Sequence, residues 1–308
     1  MVMGYLFEYY AVQALVAVLK RVPLSLSGWI VTRVADLYFV CSPTRRHIAL
    51  ENLTIAYGDT LSTGQKRTIA RRSFEHQALS ILELLVSHTM KKNAGHRFPI
   101  TGQQHFDEAV ARGKGVVFVA SHLGAWEYIG FPGCLKQYPH SVIVKKIKNP
   151  YLNDMIDALR RESETVPIPK EANALRRTLA ELRQNHGVAI VIDQWAGREG
   201  LWIELFGRAT STTSLPARLA NKTGCTLLPI YCVRKTIGQY EIHLLPAVPL
   251  PDDPTWEIRT TKRLNDILES QIRQYPEQWS WNHRRWRPKP PTASQGASRS
   301  CANNSPAS

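Results

Sequence analysis

A chain of 308 residues, 44% hydrophobic and 21% charged, is long enough for a sizeable core and too polar to cross a membrane many times. Its 39 Lys and Arg against 25 Asp and Glu leave a formal +14, which suits a polyanion or an anionic membrane surface as partner. The five cysteines form no C-x-x-C pair and no finger spacing, which argues against a zinc site and for reduced thiols in a cytosolic setting.

In chain order, residues 1–40 are the most lipophilic. The run Tyr5 to Leu19 is interrupted by Lys20, Arg21 and Pro23, and the following segment, Leu24 to Val40, carries Arg33 and Asp36. Neither half supplies the ~20 uninterrupted apolar residues of a comfortable span. The pattern predicts a helix lying in the membrane interface with Lys20 and Arg21 near headgroups, so residues 1–42 are read as a membrane-associating segment. Helical periodicity follows over 65–89, where Ile69, Phe74, Ala78, Ile81, Leu82, Leu85 and Val86 recur three and four apart.

From residue 100 short apolar runs alternate with helical patterns. Strands are expected at 116–120, 141–144, 188–193, 226–233 and 241–248, the last an antiparallel edge. Helices are expected at 151–164, 172–184, 213–222 and 255–275. This alternation predicts an α/β fold: a mostly parallel central sheet flanked by helices, occupying residues 43–287 behind the N-terminal helical membrane-associating region. Cys134, Cys225 and Cys232 stand in apolar surroundings as small core residues. Residues 288–308, rich in Pro, Ser, Ala and Asn, are expected to be a disordered tail.

Chemistry-bearing residues cluster at the expected strand ends, where open parallel sheets bind their substrates. Val116–Ala120 runs into Ser121-His122-Leu-Gly-Ala-Trp-Glu127, an imidazole followed by a carboxylate. A later strand ends in Asp193-Gln194. A Gly- and Thr-rich stretch from Leu205 reads as a loop feeding a helix that Thr213 or Ser214 would cap. The chain then closes on Trp279-x-Trp281-x-His283-Arg284-Arg285-Trp286. Trp279, Trp281 and Trp286 read as core or membrane-interface aromatics, and His283 as readily a structural histidine as a proton carrier. There is no G-x-S-x-G elbow, P-loop, dinucleotide fingerprint or H-E-x-x-H zinc spacing. A histidine with a carboxylate and no protein nucleophile suits general-base activation of a substrate hydroxyl.

These motifs, together with Arg45-Arg-x-x-Ala-x-Glu-Asn-Leu53 upstream and Pro-Ala-Arg-Leu-Ala220 after the Thr-rich stretch, resemble those of the bacterial late acyltransferases of lipid A biosynthesis, over about residues 5 to 288. The resemblance implies transfer of a fatty acyl chain from an acyl-carrier-protein or CoA thioester to a hydroxyl of a lipid A precursor or related anionic glycolipid. It implies no cofactor beyond that co-substrate, acyl carrier protein as partner, and a place on the cytoplasmic face of the bacterial inner membrane. His122 becomes the general base and Glu127 its orienter. The family arginine falls on Arg160 or Arg161, and Asp193 takes the place of its strand-end aspartate, with Gln194 beside it. Lys146, Arg160, Arg161, Arg284 and Arg285 are the expected contacts for an anionic substrate.

Two positions depart from the pattern. Trp195-Ala196 follows Asp193-Gln194 where an acidic residue is frequent, and Leu215 stands where a glycine is usual. Phosphatidylinositol mannosides and lysophospholipids are the alternative acceptors. A non-catalytic basic protein binding membranes or nucleic acid is the distant alternative. The basic residues are spread along the chain without a docking motif, so no nucleic-acid partner is expected.

Overall fold

The computed structural model describes residues 2–90, 94–130 and 137–288. The expectations for Cys134 and for the tail from residue 289 lie outside them. Two 18-residue helices open the chain, α1 (Val2–Leu19) and α2 (Leu24–Cys41), followed by α3 (Pro43–Tyr57) and α4 (Thr63–Leu85). Helix α4 starts where it does because Ser62 and Gln65 form a capping box. The Ser62 hydroxyl accepts from the Gln65 amide at 3.3 Å, and the Gln65 side chain accepts from the Ser62 amide at 2.8 Å. Short helices α5 (Ser87–Met90) and α6 (Ala94–Arg97) then lead to β1 (Ile100–Thr101) and α7 (Gln103–Ala111).

The α/β part follows: β2 (Val116–Ala120), β3 (His140–Val144), α8 (Pro150–Glu162), β4 (Thr165–Pro169), α9 (Ala174–Arg183) and β5 (Gly187–Val191). A hairpin comes next, β6 (Leu201–Leu205) with β7 (Arg208–Thr212), then α10 (Leu215–Thr223), β8 (Thr226–Thr236), β9 (Gln239–Leu244) and α11 (Trp256–Gln274). Seven strands form one sheet in the order β1-β9-β8-β2-β5-β3-β4, and neighbours are parallel except β8 and β9. The predicted α/β class holds, and so does the antiparallel pairing of the residues after 239. They are not an edge, however, because β1 pairs with the far side of β9.

Strand β2 lies at the centre and is buried along its whole length, which is why it reads as an unbroken apolar run. Its pleat sends Phe118 and Ala120 toward a core with Phe106, Tyr128, Leu228 and Tyr240, and Val117 and Val119 toward one with Leu182, Ile190, Leu227 and Leu264. A third core joins α3 and α4 to the tryptophan-rich C-terminal segment through Leu53, Phe74, Leu268, Trp279 and Trp281.

Helices α1 and α2 are long and apolar enough, by length and composition, to cross a membrane. Eighteen helical residues extend ~27 Å, so the interruptions at Lys20, Arg21 and Pro23 fall between two helices rather than shortening one. Phe7, Tyr10, Trp29, Val34 and Leu37 on them are exposed.

Candidate active site

The register of the central strands assembles the site. Ala120 of β2 pairs with Val191 of β5, so the residues two positions beyond each strand, His122 and Asp193, leave the sheet side by side. Nδ1 of His122 lies 2.9 Å from Oδ1 of Asp193, and the His122 amide donates to Oδ2 at 2.8 Å. The indole N–H of Trp279 donates to the same Oδ2, also at 2.8 Å. Asp193 is buried, whereas 26% of the His122 side chain remains exposed. Burial alone would lower the His122 pKa, but the charge and hydrogen bond of Asp193 and the charge of Glu127 outweigh it and raise the group above its usual value. For Asp193, burial pushes upward, and the His122 charge and the three hydrogen bonds hold the carboxyl below its usual range.

The carboxylate expected to orient His122 is therefore not the one that touches it. Glu127 is held instead by a two-pronged ion pair from Arg160, at 3.0 Å to Oε1 and 3.2 Å to Oε2. The reason is local: residues 126–128 form a single 3-10 turn, and helix α8 packs against it with Arg160 facing inward. Between the two expected arginines, Arg160 reaches the site and Arg161 is exposed.

Lys146 is exposed and bridged to Glu171 at 2.5 Å, while its neighbour Lys145, together with Lys170, lines the cavity. Gln194 lines it as well. Arg284 is exposed. Arg285 corrects the expectation of a substrate contact. It is 0% exposed, and its guanidinium donates to the backbone oxygens of Ser211 (2.5 Å) and Gln194 (3.2 Å) and to the Thr212 hydroxyl (2.7 Å). It ties the β6–β7 hairpin to the strand end that carries Asp193. Burial brings it down to about 10 against the opposing charge of Asp193.

His122 sits at one side of a cavity of about 380 Å³. One wall is aliphatic, with Leu84, Ile129, Val142, Ile143 and Val191; Glu127, Arg160, Lys145 and Lys170 supply charge. The loop from His122 is fixed from behind. Gly124, at φ 64°, lies so close to β8 that an added Cβ would stand 2.1 Å from the Cys232 carbonyl oxygen. The Gly124 amide donates to Gln278 O and the Ala125 amide to Cys232 O, each at 2.9 Å. Gly124→Ala is accordingly expected to displace His122 and to reduce turnover at least ~10²-fold, read from initial rates on folded protein.

Sequence reasoning did not assign roles to several supports. Asn52, inside the upstream motif, donates to Trp281 O and His283 O, both at 2.7 Å. Trp279, expected to be an apolar anchor, is buried and also holds Asp193. His283 accepts the Trp195 amide at Nε2 (3.2 Å), and burial lowers it to about 4, so it stays neutral near pH 7. Five separated motifs thus converge on one histidine and its carboxylate.

Residues 2–288 match the model of the bacterial lipid A biosynthesis acyltransferases. The chain belongs to that family. Among proteins similar to this chain are the lipid A biosynthesis acyltransferase of Haemophilus influenzae, 21% identical over 62% of this chain and 59% of that protein, and the phosphatidylinositol mannoside acyltransferase of Mycolicibacterium smegmatis, 24% identical over 62% of this chain and 63% of that protein. Both matches thus span less than two thirds of the relative's length. The lipid A biosynthesis palmitoleoyltransferase of Escherichia coli is 23% identical over 88% of each chain. The names of these relatives refer to two different lipids, lipid A and phosphatidylinositol mannoside.

Proposed function

We propose that this acyltransferase moves a fatty acyl group from a thioester, carried by acyl carrier protein or CoA, to a hydroxyl of an anionic glycolipid of the lipid A precursor class. The observation that carries the reading is His122, locked through Nδ1 to Asp193 and standing in a cavity with an aliphatic wall and cationic residues. With Nδ1–H donated to Asp193, Nε2 is left as the base. It takes the proton of the acceptor hydroxyl as the oxygen attacks the thioester carbonyl carbon. The C–O bond forms, the C–S bond breaks, and the imidazolium returns its proton to the departing thiolate. Asp193 stabilises the imidazolium while it exists. No covalent acyl-enzyme is required. Lys145 and Lys170 supply positive charge for the phosphates of donor or acceptor, while Arg160 is paired with Glu127.

The exposed apolar residues of α1 and α2, with Lys20 and Arg21 between the helices, support attachment to a membrane, and in this reading to the inner membrane from its cytoplasmic side. Helix α1 is coupled to the catalytic wall. Asn149, the N-cap of α8, donates to Tyr5 O at 2.9 Å and to Glu8 Oε2 at 3.0 Å, and α8 carries Arg160. Membrane attachment through α1 would thereby hold the cavity close to its lipid substrates.

The test is acyl transfer by purified protein in mixed micelles, with lauroyl-acyl carrier protein and lauroyl-CoA each offered against a tetraacyl lipid A precursor and a phosphatidylinositol dimannoside. Transfer by the wild type and a loss of about 10²–10⁴-fold in His122→Ala are expected. Full activity in His122→Ala would sink the mechanism. A preference for the dimannoside would shift the acceptor to the class named for the mycobacterial relative.

A further inference from the structure

We infer that the cavity beside His122 continues as a slot for the acyl chain of the donor, with His140 and Thr165 as its floor, and that its depth selects a chain of about 10–14 carbons. The inference rests on the acyl-transfer reading and adds the length of the group transferred. The same cavity is lined at one end by His122 and Gln194 and at the other by Gly130, His140 and Thr165. Its course follows the sheet. His140, Val142 and Val144 alternate along β3 and so share one face, and all three line the cavity. Ala189 of β5, the register partner of Val142, and Val191 line it from the neighbouring strand. Leu84 and Ile129 complete an aliphatic lining, and the charges of Glu127 and Arg160 are spent on each other.

The floor suits the end of an alkyl chain. Nδ1 of His140 lies 3.1 Å from Tyr138 O, and Nε2 lies 2.8 Å from the Thr165 hydroxyl. With Nδ1–H donated to the carbonyl, Nε2 accepts from Thr165, and burial keeps the ring neutral by lowering its pKa. Both ring nitrogens are thereby occupied, so a terminal methyl meets an uncharged ring with no polar atom left to pair. Gly130 packs onto the same two residues: an added Cβ would stand 2.5 Å from His140 Nε2 and 2.7 Å from Thr165 Oγ1. The depth follows from the strand. From Val144 to His140, β3 covers about 13 Å at ~3.3 Å per residue. An extended alkyl chain advances ~1.25 Å per carbon, given C–C bonds of ~1.52 Å at near-tetrahedral angles, so this stretch takes about 10 carbons. The reacting carbonyl lies beyond the strand end beside His122, two residues past Ala120, which adds up to ~4 more.

The experiment measures donor kcat/KM across saturated acyl thioesters of about 8 to 18 carbons, on whichever of acyl carrier protein and CoA the wild type uses, at saturating acceptor. Wild type, Val142→Phe and His140→Ala are compared, with matched thermal melts. The wild type is expected to peak between about 10 and 14 carbons and to lose at least ~10-fold at about 16, where the extra methylenes find no room. Val142→Phe sets a ring part-way down the slot and should move the peak about 2–4 carbons shorter. His140→Ala removes the floor and should move it about 2–4 carbons longer, with the acceptor KM of both variants within about twofold. A flat wild-type profile, a wild-type peak at about 16 carbons or more, or a peak unmoved in either folded variant overturns the slot while leaving acyl transfer intact. If neither variant folds, the wild-type profile decides: a peak between about 10 and 14 carbons supports the slot and any other overturns it. Wild-type protein inert toward every thioester overturns the acyl-transfer reading and this inference with it.

Discussion

Asp193→Asn is expected to cut acyl transfer about 10³–10⁴-fold while circular dichroism shows the fold intact, the scale seen when the carboxylate behind a catalytic histidine is replaced by an amide. The carboxylate does two things for His122. It accepts Nδ1–H at 2.9 Å, which leaves Nε2 as the basic nitrogen, and it stabilises the imidazolium formed as the hydroxyl loses its proton. Asparagine supplies no negative charge, and its amide can present N–H to the ring and reverse the tautomer. The pH profile should show the same cause. In the wild type His122 is raised above its usual 6.5, and the base must be unprotonated, so kcat/KM rises with pH through an apparent pKa above 6.5. Removing the Asp193 charge leaves burial as the largest influence, and burial lowers the pKa. The acid limb in Asp193→Asn should therefore move to lower pH as the plateau falls. Glu127→Gln is the contrasting variant. Glu127 acts on His122 through charge alone and spends its hydrogen bonds on Arg160, so its acid limb should move less. A larger pH shift in Glu127→Gln than in Asp193→Asn would make Glu127 the orienter after all.

Much of this site was legible as residue types at strand ends and little of it as pairings. The apolar runs 116–120 and 188–193 announced buried strands, and the polar residues that ended them announced the catalytic edge of a parallel sheet. That β2 and β5 are neighbours follows from the sheet order, which no local pattern encodes; His122 and Asp193 are 71 residues apart in sequence. Proximity in sequence pointed instead to Glu127, which the turn after His122 carries toward Arg160. The hairpin β6–β7 was read as a loop because its turn is Phe206-Gly207 in place of the usual Asn-Gly. Both residues have positive φ, 54° and 68°, as a two-residue hairpin turn of this hand requires. Arg285 misled for a different reason. A basic run at the chain's end looks like a solvated or phosphate-binding surface, and only tertiary packing separates an exposed Arg284 from an Arg285 buried beneath the hairpin.

The other large effect expected lies behind the site, in a buried ion pair whose partners the sequence left unconnected. Glu83 of α4 and Arg234 of β8 are almost wholly buried, and Arg234 donates to both carboxylate oxygens at 2.5 Å. Tyr240 adds a third hydrogen bond to the carboxylate at 2.8 Å, and Nη1 of Arg234 lies 2.6 Å from Nδ1 of His76. Burial and the charges of Arg234 and Arg72 press His76 down to about 3, so it remains a neutral acceptor for the guanidinium. The network reaches the catalytic loop through Ser80, whose hydroxyl accepts from Arg234 at 2.8 Å and donates to the Gly124 carbonyl at 2.7 Å. Glu83→Gln leaves a buried guanidinium without its counter-charge and is expected to destabilise the protein by about 3–5 kcal/mol. At ~2–4 °C per kcal/mol for a domain of this size, the melting temperature should fall by roughly 6–20 °C. Replacing both partners by methionine removes the uncompensated charge, so the double variant should recover most of the stability lost in Glu83→Gln. It should not recover activity, because Ser80 and Gly124 lose the group that braces them and His122 stands two residues from Gly124. Melting and turnover measured on both variants test this separation. Recovery of turnover along with melting temperature would reduce the network to a purely structural role.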